Sequence, residues 1–170
     1  MRVEFEEMSR ILGCLVAAAL VVGASTARAD TPADARRLGA IFCLLGKHGG
    51  EYGRVYLVTR SLGEAIAGAL RKNDEIAQAV PGEKPPLGDG VPFQSFPDKA
   101  PVCKAGSVTD KGRYQELEIV YEFPDTPNGN WTDRLALVTE DGLLRIDDVF
   151  YGAGDSTDGL RKALAPLLQN

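Results

Sequence analysis

The chain has 170 residues, a hydrophobic content of 44% and a net charge of −5. This length supports one domain with a substantial core and is too short for two comfortable ones. The negative charge argues against binding to nucleic acid or to anionic membrane surfaces, because both are negatively charged themselves.

Residues 1–29 are typical of a cleaved export signal. Arg10 precedes an apolar stretch at Leu12–Ala24, and Ala27-Arg28-Ala29 gives the small-x-small cleavage pattern before Asp30. The apolar stretch is short for a bilayer span, so we expect cleavage rather than anchoring, with no membrane span afterwards. The expected product is a periplasmic or secreted domain of residues 30–170.

Two features of this segment leave alternatives open. Glu4, Glu6 and Glu7 are unusual in the positively charged part of a signal, so a start at Met8 would give a cleaner one. Cys14 suggests lipid attachment, but it precedes most of the apolar stretch instead of following it, which disfavours that interpretation.

Two amphipathic helices are predicted in the first half of the chain. Thr31-Pro32-Ala33-Asp34 is a capping box with proline at the first helical position, and Gly49-Gly50 ends the helix that follows. Its apolar face consists of Leu38, Ile41, Phe42 and Leu45. Ser61-Leu62-Gly63-Glu64 repeats the capping box, and Pro81-Gly82 stops the second helix.

Residues 81–101 are predicted to form an ordered loop rather than a free linker. They hold six of the ten prolines, which disfavours regular structure. Val91, Phe93 and Phe96 are nevertheless too apolar for a solvated segment, so we expect at least one of them to pack on the core.

Strands follow the loop. Val102–Asp110 and Arg113–Phe123 flank a turn at Lys111-Gly112. In the second strand, apolar residues alternate with Glu116, Glu118 and Glu122, which predicts one buried face and one acidic, solvated face.

Residues 131–151, WTDRLALVTEDGLLRIDDVFY, predict a β-hairpin, because Asp141-Gly142 supplies the turn residues such a hairpin needs. In the return strand Leu144, Ile146, Asp148 and Phe150 share one parity. Residues 160–168 then predict a closing helix that Pro166 should kink or unwind. The expected fold is α+β, with the helices on one face of a curved antiparallel sheet of about four strands.

Several short motifs carry a resemblance to a known superfamily. They are KPPLGDGVPF at 84–93, Trp131, Val138, Asp141-Gly142, IDD at 146–148, Tyr151 and LRKAL at 160–164. With the order of elements, they resemble the cystatin-like cone of the superfamily named after nuclear transport factor two, which includes ketosteroid isomerase. More narrowly, they resemble an uncharacterised family of exported bacterial proteins. The resemblance implies a fold and no activity, because the superfamily includes enzymes, transport adaptors, binding modules and dimerisation modules.

Asp147 and Asp148 are the candidate catalytic carboxylates. They should project to opposite faces of their strand, and Asp148 has the parity of Ile146. A carboxyl under the helices would have a raised pKa suited to a general acid or base, with Tyr56, Tyr121 or Tyr151 as hydrogen-bond donor. The interpretation we favour is structural, with Asp148 accepting bonds from Arg134, Arg145 or backbone N–H groups. Asp147 takes that place if the register is reversed.

Aromatic residues suggest a ligand pocket. Trp131, Tyr121 and Phe93 could form the wall of an apolar pocket, with Tyr56 nearby, although such residues more often pack in a core. His48 is the only histidine, so a zinc site or a Ser-His-Asp relay is not expected, nor is any other metal or cofactor.

Cys43 and Cys103 are the only cysteines after the predicted signal. In an oxidising compartment we expect them to pair and join the first helix to the first strand, and two buried thiols are the alternative.

These features lead to three functional hypotheses. The leading one is an exported, non-enzymatic module that binds a small apolar ligand or a protein partner through the open end of the cone or through the sheet face. The second is an isomerase-like, dehydratase-like or hydrolase-like enzyme with Asp148 or Asp147 as base. The third is a periplasmic immunity or inhibitor protein whose acidic strand residues Glu116, Glu118 and Glu122 bind a basic toxin or enzyme, although a merely solvated face is the interpretation we favour for these residues. A homodimer is left open.

Overall fold

The computed structural model describes residues 31–48 and 50–169; the predicted export signal at 1–29 lies outside them. The helices are α1 (Pro32–His48), α2 (Gly50–Arg54), α3 (Arg60–Ala79) and α4 (Leu160–Leu168). The strands are β1 (Val102–Asp110), β2 (Gln115–Glu122), β3 (Trp131–Glu140) and β4 (Leu143–Phe150). Within the described residues, no helix is long and apolar enough to cross a membrane.

The four strands form one open, curved antiparallel sheet in the order β1-β2-β3-β4. Helix α1 packs on β1 and β2, while α3 and α4 pack on each other and on β4. The α+β prediction is therefore confirmed. The fully buried side chains come from both layers and include Phe42, Leu62, Ile66, Leu117, Ile119, Leu135, Leu137, Ile146 and Leu164.

Helix α1 begins at the predicted capping box and lies unusually close to the sheet. The Asp34 amide donates to Thr31 Oγ1 at 3.2 Å, and the Thr31 amide donates to Asp34 Oδ2 at 3.1 Å. A Cβ atom at Gly39 would lie 2.6 Å from Leu117 Cδ2 and 3.0 Å from the Cβ of Ala105. Glycine at this position therefore permits the close approach of helix and sheet.

Helix α3 begins earlier than predicted. Its N-cap is Thr59, whose Oγ1 accepts from the Leu62 amide at 3.3 Å, so the prediction of a cap at Ser61 is wrong. The reason is tertiary: the Thr59 amide donates to the Ile146 carbonyl at 2.9 Å, and Val58 bridges the same residue of β4. Strand pairing thus fixes where the helix starts.

Residues 81–101 lack regular helix or strand, and two of their apolar side chains reach the core. Val91 and Phe93 are buried, and the Phe93 ring meets Phe42 edge-on at 6.3 Å. Phe96 is half-exposed and packs against Trp131 at 5.4 Å. The prediction of an ordered, core-packed loop is confirmed for Val91 and Phe93.

The β3–β4 hairpin turns as predicted but contains a bulge that the sequence did not indicate. Asp141 and Gly142 have φ angles of 52° and 76°, as the two-residue turn requires. Leu137 pairs with Ile146 and Ala136 pairs with Asp148, which leaves Asp147 as the extra residue. The faces of β4 exchange there, and Ile146 and Val149 are both buried. The predicted common parity of Ile146, Asp148 and Phe150 is therefore wrong.

Two further predictions need correction. Helix α4 remains helical through Pro166 to Leu168, so the predicted unwinding is wrong, because proline removes only one donor near the end of this short helix; the predicted kink stays a prediction. Glu116 was expected on a solvated face, but it is buried. The segment after β4 is the reason, because Ser156 and Gly152 contact Arg134 on that same face of the sheet.

Candidate functional site

The bulge residue Asp147 connects three elements of the fold. Its Oδ1 atom accepts hydrogen bonds from Thr59 Oγ1 at 2.9 Å and from Arg161 Nη2 at 2.6 Å. The same Arg161 nitrogen donates to Ser61 Oγ at 2.8 Å, and Arg161 Nε donates to the main-chain oxygen of Asp147 at 2.7 Å. The carboxylate thus ties β4 to the starts of α3 and α4.

Asp148 forms a separate set of contacts beside the bulge. Its Oδ1 atom accepts from the Val149 amide at 2.8 Å and from the Arg161 amide at 3.1 Å. Burial raises the pKa of the Asp148 carboxyl above its ordinary value, while the two N–H bonds act in the opposite direction. Both donors are backbone N–H groups, which is one of the alternatives expected from the sequence, and neither Arg134 nor Arg145 is among the donors described for Asp148.

The tyrosines proposed as catalytic donors have other surroundings. Tyr151 donates its hydroxyl hydrogen to the Pro92 carbonyl at 2.7 Å and so fastens the 81–101 loop to the end of β4. Tyr56 is 80% exposed. Neither Asp147 nor Asp148 lines either of the two cavities described below. The geometry therefore gives these two carboxylates a structural role.

A third carboxylate, Asp133 of β3, was not singled out from the sequence. It is fully buried, and its Oδ2 atom accepts from the Ser95 amide at 2.9 Å and from Trp131 Nε1 at 3.2 Å. Its Oδ1 atom accepts from the Gly152 amide at 2.9 Å. Asp133 has the parity of Leu135 and Leu137, so extending their alternation back two residues would have placed it on the buried face.

The acidic strand does not present a free acidic surface. Glu116 pairs with the buried Arg134 at 3.0 Å, Glu122 pairs with Lys104 at 2.6 Å, and Glu118 accepts from Ser107 Oγ at 2.6 Å. All three carboxylates proposed for an immunity or inhibitor surface are thus engaged within the molecule.

The larger cavity has a volume of about 560 Å³ and opens between the end of α1, the Arg54 end of α2, residues 94–101 and the start of β1. Its apolar walls include Ala40, Leu44, Val102 and Ala105. The basic residues Lys47, His48, Arg54, Lys99 and Lys104 also line it, while none of the described lining residues is acidic. This is notable in a chain with a net charge of −5.

Arg54 is the buried cation of this cavity, with 5% of its surface exposed. Its Nε atom donates to the Phe42 carbonyl at 3.1 Å, and its guanidinium carbon lies 4.0 Å from the centre of the Phe42 ring. A Cβ atom at Gly46 would overlap this guanidinium, so glycine makes room for it. The side chain is thereby held against the last turns of α1.

Tyr121 lies across the cavity on β2, paired in register with Cys103. It is 2% exposed, and its hydroxyl lies beside Arg54 and donates to no acceptor among the described residues. Burial raises the pKa of the Tyr121 hydroxyl well above its ordinary value, and the charge of Arg54 acts in the opposite direction. At neutral pH the hydroxyl is therefore protonated and able to donate.

The four aromatic residues proposed for one pocket do not share it. Of the four, Tyr121 lines the cavity. Trp131 stacks on the Tyr121 ring, with ring centres 4.5 Å apart. Phe93 is buried in the core, which is the alternative the sequence favoured. Tyr56 lines a different, smaller hollow of about 230 Å³ with Tyr52 and Ile66.

Arg54 was not identified from the sequence as a residue of the cavity, because no local sequence pattern predicts that it is buried.

Cys43 and Cys103 face the same cavity. Their Cα atoms lie 5.5 Å apart, and the two sulfur atoms are joined as a disulfide between α1 and β1. Among the described residues, no group of three His, Cys, Asp or Glu side chains could hold a metal ion.

No protein-family model, no curated protein and no solved structure matches the chain. The resemblance to the superfamily of nuclear transport factor two therefore stays a prediction.

Proposed function

We propose that this chain is an exported binding module that takes a small, largely apolar molecule into the 560 Å³ cavity. The observation that carries the proposal is the cavity itself, because its volume lies within the range of small-molecule sites and its walls combine apolar side chains with a few polar groups. Export is supported by the pattern of residues 1–29 and by the cysteine pair, which persists best in an oxidising compartment.

Binding is preferred to catalysis because of where the carboxylates lie. Asp133, Asp147 and Asp148 all accept hydrogen bonds that hold segments of the fold together. A general base must lie within hydrogen-bond reach of a substrate proton. Since none of the three lines the cavity, a ligand there would meet basic and apolar side chains instead.

The proposal is tested with N-phenyl-1-naphthylamine, an uncharged apolar probe whose fluorescence rises on transfer from water. We expect saturable one-site binding to the mature protein. Ala40 lines the cavity and is solvent-exposed, so Ala40→Phe should obstruct the cavity at little cost to folding. This variant should weaken binding at least about tenfold, since the probe would lose most of its apolar contact.

Ala33→Phe is the matched control, because Ala33 is exposed on the same helix and does not line the cavity. It should bind the probe as the wild type does. Failure of the wild type to bind the probe, or equal weakening by both variants, would refute the proposed function.

A further inference from the structure

The cavity combines buried and exposed positive charge in a way that an apolar ligand alone does not require. Arg54 and Tyr121 are both more than nine-tenths buried and therefore lie on its inner side. Lys47, Lys99 and Lys104 are exposed and lie towards its opening. The site thus offers a buried guanidinium and a hydroxyl that can donate a hydrogen bond on its inner side, and ammonium groups at the entrance.

Part of this charge has an intramolecular explanation. Lys47 lies in the last turn of α1, where a cation stabilises the negative end of the helix dipole. Lys104 forms an ion pair with Glu122. Lys99 belongs to neither group: it comes from the 81–101 loop and has no ion pair with any described residue. Arg54 reaches the cavity from α2.

We propose that the ligand of this cavity carries a carboxylate or similar oxyanion on an apolar body, and that Arg54 and the Tyr121 hydroxyl receive its anionic end. Three observations carry the proposal. Arg54 offers a charged, planar donor group that suits a carboxylate. The Tyr121 hydroxyl is buried beside the Arg54 guanidinium and donates to no acceptor among the described residues, so its hydrogen is available to a ligand oxygen.

The third observation is electrostatic. Arg54, Lys47 and Lys99 carry positive charge, and no acidic side chain is among the described lining residues, so the cavity has a positive potential that attracts an anion and raises its rate of association. The apolar walls at Leu44, Val102 and Ala105 fit the other end of such a molecule. This inference rests on the proposed function and adds the chemical class of the ligand.

Octanoate and octanol test it, because they share a hydrocarbon chain and differ in charge. Both are measured by displacement of N-phenyl-1-naphthylamine at neutral pH and low ionic strength. We expect octanoate to bind about tenfold more tightly than octanol, the amount a charge-assisted hydrogen bond contributes. Raising the salt concentration should narrow the difference through screening at the entrance.

Variants locate the anionic end. Arg54→Gln should weaken octanoate binding about tenfold and leave octanol binding within about twofold. Arg36→Gln makes the same change of charge at an exposed position of α1 outside the cavity and should leave both affinities unchanged. Since Arg54 is buried, circular dichroism must confirm that Arg54→Gln folds.

Tyr121→Phe and Lys99→Gln keep the test decisive if Arg54→Gln does not fold. Each should lower the octanoate-to-octanol preference by about two- to fivefold. Equal affinity of the wild type for octanoate and octanol would overturn the inference while leaving the proposed function intact. An unchanged preference in both of these variants would also overturn it. Failure of all three probes to bind would overturn both proposals.

Discussion

Asp147 and Asp148 are neighbours that contribute to stability in different ways. Asp147 accepts from side chains of α3 and α4, including Arg161, whereas Asp148 accepts from two backbone amides. Asparagine keeps an acceptor oxygen but removes the charge. Replacement by asparagine therefore separates the contribution of the charge to stability from the contribution of the hydrogen bonds.

We predict that Asp147→Asn lowers the free energy of unfolding at neutral pH by about 1 kcal/mol, because the partly exposed pair with Arg161 is lost. Asp148→Asn should not lower it, since both amides keep their acceptor and the cost of burying the charge is removed. Asp148→Ala should cost about 1–3 kcal/mol because it leaves both amides without one. Urea unfolding followed by the fluorescence of Trp131, the only tryptophan, measures all three. A large loss in Asp148→Asn would contradict this assignment.

The burial of the Asp148 carboxyl should also make the free energy of unfolding depend on pH. Its pKa is raised in the folded state by burial, so between the unfolded and folded pKa values the folded state holds more protons. This group therefore makes stability fall as pH rises through that window. The free energy of unfolding of the wild type should decline relative to Asp148→Asn from about pH 3 upward. If the wild type instead became more stable relative to Asp148→Asn as the pH rises, the hydrogen bonds to Asp148 would affect its pKa more strongly than burial does.

Residue roles were only partly predictable from the sequence. The structural role of Asp148 was favoured from its position in a strand, and its backbone partners were among the expected donors. The contact of Arg161 with both aspartates depends on how α4 is placed, which no local pattern reports. The burial of Arg54 is harder still to predict, because arginine in a short polar segment is ordinarily exposed and only tertiary packing buries it.

At the scale of elements, α1 and the sheet approach closely because Gly39 has no side chain. We predict that Gly39→Ala lowers the free energy of unfolding, since the added methyl group would meet Leu117 at 2.6 Å and Ala105 at 3.0 Å. Crowding of a packed contact costs about 1–3 kcal/mol and exceeds the gain in helix propensity.

Gly63→Ala is the matched control in α3. A Cβ atom there meets only Val58, at 3.7 Å, which is ordinary contact. This variant should be about 0.5–1 kcal/mol more stable than the wild type, through helix propensity alone. Thermal unfolding of the two variants decides the matter. Equal stabilisation by both would show that the α1–sheet contact can relax without cost.

The types of the four strands and of α1, α3 and α4, with most of their limits, followed from local chemistry, whereas the short helix α2 was not predicted. Thr31 and Asp34 marked the start of α1, Asp141-Gly142 marked the hairpin turn, and β1 has the predicted limits. The start of α3 and the bulge at Asp147 did not follow, since both depend on pairing with a distant strand. The alternation of side chains along β4 does not indicate where an extra residue interrupts its pairing with β3.

At the scale of the whole molecule, the bond between Cys43 and Cys103 joins the helical layer to the sheet across 60 residues of sequence. We predict that Cys43→Ala/Cys103→Ala lowers the free energy of unfolding by about 4 kcal/mol in the chain-entropy model. Urea unfolding of the oxidised wild type and this variant measures the loss. Mass spectrometry of the protein with and without reduction should show a two-proton difference. Two free thiols in the native protein would contradict the pairing.

The cavity lies beside that bond, so the same contact that fastens the two layers also shapes the proposed binding site. The smaller hollow by Tyr52 and Tyr56 lies elsewhere and provides an internal comparison. A ligand that binds nonspecifically to exposed aromatic side chains would bind in that smaller hollow. A ligand that binds in the larger cavity would leave the residues of the smaller hollow unperturbed.

Binding in the 560 Å³ cavity can be located by chemical-shift mapping of the backbone amides during titration with N-phenyl-1-naphthylamine. We predict that the largest shifts fall on residues lining this cavity, including Leu44, Lys99 and Lys104, with little change at Tyr52, Tyr56 and Ala67. Shifts confined to the latter group, or no saturable shifts at all, would contradict it.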